Sequence, residues 1–483
     1  GSSHLFRNSL FFASQTLGMF TVGISTAANA CASTARPALS FRALKQDVPK
    51  NAHEATLRHS ACVACVALGV VTASKRLSVR QRSQRKLVAQ RAQESWSELE
   101  ALLPSSQVSL RSVDSALTSE RPDLSGLTLL RERNGWCPYS ERVWLAMELK
   151  GLRFDTVLID NFGSRPGWFG GQTPQVQWAP RERQGESLDL IRELDEKYPD
   201  AILWPWDDGV TDLVQAFKEI FPKRTRPSSR AAFLFDQSGP IWRSTFEATL
   251  QGTDDLLARH GGPFFHGERI SAADIAWAPF LERYAAQLPC LHDGLRPYDP
   301  TRWPHLAAWY EAMLRVPAYA GRVCGDTISW RKVLAQAGYG NAGVAPDLED
   351  EASQAVLGAS GLDETKSKQI WQEYVEMCSN PKELASTPCE EVASRIVRNR
   401  KSLILDAVRQ TSLAETDADA GLRGLAGLLH QGGTEGLDSA GDIDGSVREV
   451  ATYLDDRMCV PRDMGVLPGL ELRKLAKELR SEG

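Results

Sequence analysis

Residues 127–143 read as a short apolar strand, a loop, and then Cys137 followed at once by Pro138. No other stretch constrains the fold as tightly. Proline is favoured at the first position of a helix, where its missing N–H would have had no partner. Pro138 therefore opens a helix and leaves Cys137 at its N-terminus. Free backbone N–H groups and the positive end of the helix dipole favour an anion there. A thiol so placed is expected to titrate below the ordinary cysteine range. Cys137 is the candidate nucleophile, with Pro138 and Tyr139 supporting the helix start.

The pattern downstream continues the unit. The helix is predicted over 138–150, with Val143, Ala146 and Met147 as its buried stripe at three- and four-residue spacing. Gly151 is a natural stop. Residues 154–159 are β-branched and alternating, a second strand. Strand, helix, strand in this order makes a parallel pair. After a loop carrying Trp168 and Phe169, residues 172–178 read as a third strand with Pro174 near its start. Proline cannot sit inside a central strand, so Pro174 marks a special geometry such as a cis bond. Glu186 and Ser187 then precede a helix to about residue 198, with Leu190, Ile191 and Leu194 inward.

Cys137-Pro138-Tyr139-Ser140-Glu141-Arg142 matches the pattern Cys-Pro-Phe/Tyr-x-x-Arg. With Thr173-Pro174 before the third strand and Glu186-Ser187 at a later helix start, the order resembles the glutathione transferase family. The likeness is to its cysteine-type classes: omega, lambda and the dehydroascorbate reductases. Val143-Trp144 and Lys150-Gly151 resemble lambda and plastid members. The resemblance implies a thioredoxin-like α/β N-terminal domain and an all-α C-terminal domain, here with an additional helical extension. It also implies that Thr173, beside a cis Pro174, pairs its backbone with the cysteinyl part of glutathione. Glu186 and Ser187 would hold the γ-glutamyl carboxylate at a helix N-terminus, a placement favoured by free N–H groups. Glutathione is then a co-substrate and no metal is needed. Residues 167–171 lack the lysine that omega enzymes carry in this loop.

Beyond residue 209 the composition turns helical. Ser271 and Asp274 form a capping box, and Ile270 is placed to staple onto Ile275. This helix start, and the one at Trp303 that ends near Val316-Pro317, resemble those of the transferase C-terminal domain. Trp242, Phe246 and Trp277 lie where the family binds its second substrate and are expected to pack in the core. Gly338, Gly340 and Gly343 match GxGxxG but follow a helical segment with no preceding strand, so they read as a linker. Asp442, Asp444 and Gly445 hint at a calcium loop, but Ala440 and Ala451 stand where it needs acids. Residues 347–483 read as a charged helical extension, expected to serve docking or oligomerisation, with a homodimer as one form.

The first ninety residues hold only two acids, Asp47 and Glu54, amid many Ser, Ala and Arg. Two apolar parts followed by a basic run resemble the bipartite leaders of algae with complex plastids, so targeting to a plastid is expected, with a cytoplasmic location as the alternative. Cys62 and Cys65 form a CxxC inside this leader, which reads as incidental. The organisation expected is a leader at 1–92, a helix and linker at 93–125, the thioredoxin-like domain at 126–205, the helical domain at 209–335 and the extension at 347–483. Within 93–103, Trp96, Leu99, Leu102 and Leu103 mark one face of a helix.

A net charge of −5 argues against a general nucleic-acid binder, and nine scattered cysteines are too few for a disulfide scaffold. The histidines form no metal-ligand cluster, and no apolar run is long and clean enough to span a membrane as a mature domain. Ser140 stands where a dithiol glutaredoxin has its second cysteine, so a monothiol exchange with a small-molecule or protein disulfide is expected. Two alternatives stay open: conjugation using a Tyr139 or Ser140 hydroxyl, and a non-enzymatic binding scaffold.

Overall fold

The computed structural model describes residues 95–103, 112–115, 122, 124–161, 165–205, 209–222, 226, 242–292, 294–331, 364–378, 384–434, 437, 443–458, 460 and 464–481. The leader with Cys62 and Cys65, the GxGxxG stretch and Cys459 lie outside them. An opening helix α1 (Trp96–Leu102) precedes a five-stranded sheet. Its strands are β1 (Ser112–Asp114), β2 (Thr128–Glu132), β3 (Asp155–Ile159), β4 (Gln175–Ala179) and β5 (Glu182–Gly185), in the spatial order β1-β3-β2-β4-β5. β1 falls within the stretch expected to be linker. It pairs in parallel with the outer side of β3, which would otherwise be an open edge.

β2 and β3 run parallel, as the crossover through α2 (Pro138–Leu149) requires. β2 is buried along its whole length. Its alternating side chains reach two cores: Leu129 joins Val143, Met147, Leu190 and Leu194, while Leu130 joins Val157, Ile159 and Phe169. α2 ends at Gly151, whose φ of +60° suits glycine. A Cβ there would also come within 2.8 Å of the Met377 carbonyl oxygen, so the same glycine admits a distant part of the chain. β4, the strand expected from residue 172, begins three residues later at Gln175, just after the cis Thr173–Pro174 peptide, in keeping with proline's exclusion from a strand interior. Helix α3 (Ser187–Lys197) buries Leu190, Ile191 and Leu194 as predicted.

The helical domain comprises α4 (Val210–Ile220), α5 (Arg243–Ala258), α6 (Ala272–Leu291), α7 (Pro304–Met313) and a π-helical turn at Tyr319–Val323. Phe246 and Trp277 are core residues, but Trp242 is 69% exposed, because it caps α5 from outside rather than pointing into the bundle. The capping box at α6 is formed. The buried Asp274 carboxylate accepts from the backbone N–H groups of Ser271 (2.8 Å) and Phe265 (3.0 Å), the Ser271 hydroxyl (3.0 Å) and the Trp309 indole (2.9 Å).

The extension contributes α8 (Glu364–Met377), α9 (Pro388–Gln410), α10 (Glu415–His430), α11 (Gly445–Arg457) and α12 (Val466–Ser481). α9 to α12 surround a core of their own, and α1 completes it: Leu99 and Leu103 pack with Val392, Ile396, Leu422 and Leu425. Leu102 stays 40% exposed, outside that face. The Trp96 indole donates to Asp419 at 2.7 Å and Arg400 pairs with Glu100 at 2.5 Å, fastening α1 to helices some 300 residues on. α8 and the first turn of α12 belong to the transferase-side core instead, through Trp371, Tyr374, Val466 and Leu467. No described helix is long and apolar enough to cross a membrane.

Asp274 satisfies four donors at once, so Asp274→Ala is expected to cost about 3 kcal/mol, since bonds to a buried charged acceptor are each worth roughly 1.5–3 kcal/mol and strand their donors when lost. A urea titration should show a lower midpoint, with Asp274→Asn falling between the two.

Candidate active site

Cys137 is the N-cap residue of α2, with Pro138 at the first helical position. The loop before it is shaped by Glu132 at the end of β2. That buried carboxylate accepts from the backbone N–H of Asn134 at 2.8 Å and of Trp136 at 2.6 Å. The Cys137 side chain makes no capping hydrogen bond of its own and is 2% exposed. Its Sγ lies 3.8 Å from the backbone carbonyl oxygen of Thr173, the residue before the cis Pro174. The Thr173 hydroxyl accepts from Asn161 at 2.9 Å.

Strand pairing brings the remaining predicted residues to the same end of the sheet. Gln175, just after Pro174, is opposite both Leu130 of β2 and Gly185 of β5. The next residue, Glu186, is the N-cap of α3 and holds a φ of +63° that a non-glycine residue rarely adopts. Its side chain is exposed and does not cap the helix, while Ser187 is buried. The α3 N-terminus thus has no side-chain cap. Strain of this kind, maintained by the surrounding ladder, is a mark of functional positions. Tyr139 is 36% exposed and meets Phe280 of α6 edge-on at 5.8 Å. Residues 167–171 receive a cation from just outside: Arg165 bonds the Gly171 carbonyl and lies over the Phe169 ring.

The thiol does not titrate in the direction expected from the helix start. Burial pushes it up; the Ser140 side chain and the Ser140 and Tyr139 backbones pull it down, and the Glu132 charge pushes it further up. The net direction is upward, because desolvation of a thiolate here outweighs the helix-start donors. Apart from this role the Ser140 hydroxyl is buried with no hydrogen-bond partner among the described residues.

Three residues that carry the site across to the helical domain were not read from the sequence as site residues. Arg142 donates to the Ala276 carbonyl at 3.1 and 2.7 Å, and burial holds its guanidinium down to about 10, still charged at neutral pH. Arg283 pairs with Glu141 at 2.7 Å, both side chains nearly without exposed surface. Burial pushes Glu141 up, with Arg283 opposing it. Arg142 closes the Cys-Pro-Tyr-x-x-Arg pattern; for Glu141 and Arg283 the sequence signal is a charged residue at an otherwise apolar helix position, since such groups are seldom buried unless paired. No group of three or more His, Cys, Asp or Glu able to hold a metal exists among the described residues.

Comparison with known proteins decides the family. The glutathione S-transferase N-terminal domain model matches residues 136–228 and the C-terminal domain model residues 213–312. Glutathione S-transferase L1 of Arabidopsis thaliana is 31% identical over 226 residues, spanning 43% of this chain and 87% of that protein. The chain belongs to the glutathione S-transferase family. Glutathione S-transferase L2, chloroplastic, of the same plant is 29% identical over 38% of this chain and 62% of its own length. A dehydroascorbate reductase from Chlamydomonas reinhardtii, known by crystal structure, is 23% identical, with 44% of this chain and 100% of that chain aligned at a TM-score of 0.33. Glutathione is the family's substrate. The two family models span Cys137, β3 to β5 and the helices from α2 into α7; β1 and β2 precede them and α8 to α12 lie beyond them.

Only the thiolate reacts with an alkylating agent, so a raised thiol means reactivity that climbs at higher pH than in free cysteine. Carboxymethylation of Cys137, followed by mass spectrometry, should show its inflection above about 8.5, the ordinary thiol value. Ser140→Ala, which removes a stabilising donor, should move the inflection further up.

Proposed function

We propose that the protein is a glutathione-dependent thioltransferase or reductase with Cys137 as its monothiol nucleophile. The observation that carries this reading is the position of the Cys137 sulfur, at a proline-led helix start and 3.8 Å from the carbonyl before the cis Pro174. On this reading the Thr173 backbone pairs with the cysteinyl part of glutathione. Glu186 and Ser187 receive the γ-glutamyl carboxylate, an anion favoured by the uncapped N-terminus of α3.

The reaction runs in two exchanges. The Cys137 thiolate attacks the glutathionyl sulfur of a mixed disulfide, forming Cys137–S–S–glutathione and releasing the substrate as a thiolate that takes up a proton. The thiolate of a second glutathione then attacks the glutathionyl sulfur on Cys137. Oxidised glutathione leaves and the Cys137 thiolate returns. No second cysteine is needed, in keeping with Ser140 three residues on. Because burial raises the resting thiol, the first exchange requires proton loss as the disulfide arrives, and the Ser140 hydroxyl, which has no other partner among the described residues, is the donor at hand for the thiolate formed.

That same hydroxyl, with the half-exposed Tyr139, supports a second reading: conjugation, in which a hydroxyl steadies a bound glutathione thiolate. Plastid location is supported by the basic leader and by the chloroplastic relative. In this reading 126–205 and 209–335 are the two transferase domains and 347–483 the added one.

Intact-mass analysis after incubation with oxidised glutathione separates the readings. One glutathione adduct, absent in Cys137→Ser and removed by reduced glutathione, is expected, with thioltransferase activity lost at least a hundredfold in the variant. Full activity in Cys137→Ser overturns the nucleophile; conjugation of a chlorinated aromatic retained in Cys137→Ala favours the second reading.

A further inference from the structure

The loop that presents Cys137 is held from outside the thioredoxin-like domain. Arg283, on α6, is fully buried. A single nitrogen of its guanidinium, Nη2, donates to Glu141 Oε2 at 2.7 Å and to the carbonyl oxygens of Trp136 at 3.2 Å and Gly135 at 3.5 Å. Those carbonyls belong to the two residues immediately before Cys137. The Nη1 group bonds the Pro279 carbonyl, anchoring the fork on its own helix.

The other face of the guanidinium lies 4.0 Å from the centre of the Trp330 ring. Trp330 is itself fixed. Its indole N–H donates to Glu282, and its carbonyl accepts from Gln287 at 2.8 Å. The ring sits so closely on Gly325 that a Cβ there would come within 2.6 Å of the indole nitrogen. The rest of this short segment is bound by the extension. Arg473 of α12, also buried, donates to Asp326 at 2.7 Å, to the Ser329 hydroxyl at 3.1 Å and to Asp455 of α11 at 2.9 Å. The backbone N–H of Val460 donates to the same Ser329 hydroxyl at 2.9 Å. Contacts therefore run without a break from α11 and α12, through residues 326–330 and Arg283, to the backbone before the thiol.

We propose that Arg283 is the positioning residue of the Cys137 loop and that Arg473 holds it in place through the Trp330 segment, making the extension a working part of the active site. The inference rests on Cys137 as the nucleophile only for its effect on turnover. A desolvated cation–π stack is stronger than an exposed one, and loss of one partner of a buried charge network strands the others. Without Trp330 in place, Arg283 has water as a competing partner and the Gly135 and Trp136 carbonyls lose their donor. The groups facing the thiol stay as they are: Glu132 from β2, and Tyr139, Ser140 and Arg142 from its own helix.

The test uses the full chain with Arg283→Lys, Trp330→Leu and Arg473→Gln. Lysine keeps the charge beside Glu141 but lacks the planar fork. Two measurements are made: site-resolved alkylation of Cys137 and of the buried bundle thiol Cys389 across the thiol titration range, and thiol-transfer kinetics. Release of the loop lets water reach Cys137, so its alkylation at neutral pH should rise about tenfold, equivalent to one unit of thiol pKa. kcat should fall with little change in KM for glutathione, while Cys389 remains slow to react. An unchanged Cys137 profile in all three variants overturns the proposal. A shift in Arg283→Lys with none in Arg473→Gln overturns the part assigned to the extension. If Arg473→Gln opens Cys389 as well, Ser329→Ala, which removes one acceptor shared by Arg473 and Val460, decides between the same outcomes. A wild-type chain without thiol transfer would end the nucleophile reading, and the alkylation profiles would still decide the positioning.

Discussion

The ion pair between Arg283 and Glu141 has almost no exposed surface on either side, and it joins the helix that begins at Cys137 to the long helix of the second domain. Removing two charges from water this completely is costly unless hydrogen bonds replace the lost hydration. Arg283 sends its two terminal nitrogens to backbone carbonyls of Gly135, Trp136 and Pro279, while its Nε and Glu141 Oε1 have no partner among the described residues, so bonding the guanidinium and shaping the loop before the thiol go together. Arg142, the next residue along, makes the same kind of crossing onto the Ala276 carbonyl. The relative placement of the two transferase domains is therefore built into the cysteine helix.

A second buried carboxylate, Glu282, lies beside the pair. It accepts from the Gly325 backbone at 2.8 Å, the Tyr319 hydroxyl at 2.9 Å and the Trp330 indole. Burial and the neighbouring Glu141 charge push it well up. At the opposite end of α2, Glu148 accepts from the Trp144 indole at 2.9 Å and from the Tyr374 hydroxyl of the extension at 3.0 Å. The cysteine helix is thus gripped near its start by α6 of the second domain and at its end by a tyrosine of the extension. An extension that merely trailed from the C-terminus would not place a tyrosine hydroxyl and a tryptophan ring in the transferase-side core.

Much of the site was legible because it is written in short-range terms. Cys137 and Pro138 are adjacent, and a proline at a first helical position has one reading. Thr173-Pro174 announced an unusual peptide because a ladder cannot tolerate proline in its interior. Ser271 and Asp274 stand at capping-box spacing. Each of these depends on the backbone within a few residues, where steric and hydrogen-bonding rules act directly. The direction of the thiol's titration differs from the helix-start expectation for the complementary reason. Helix-start donors are visible in the sequence, whereas the desolvation that outweighs them depends on what packs over the sulfur.

The amino-acid sequence by itself determined the strand–helix–strand unit, the cysteine at its helix start, the strand led by Pro174 and the capped helix of the second domain. Only the tertiary structure decided how these are tied together. It decided that Glu141 and Arg283, 142 positions apart, form the buried pair. It decided that residues 112–114 add a strand beside β3, that Trp96–Leu102 packs with helices from the far end of the chain, and that Arg473 fastens the segment carrying Trp330. Such pairings have no period and no local signature. They follow from two buried charges, or two apolar faces, finding each other as the only partners that compensate their loss of water.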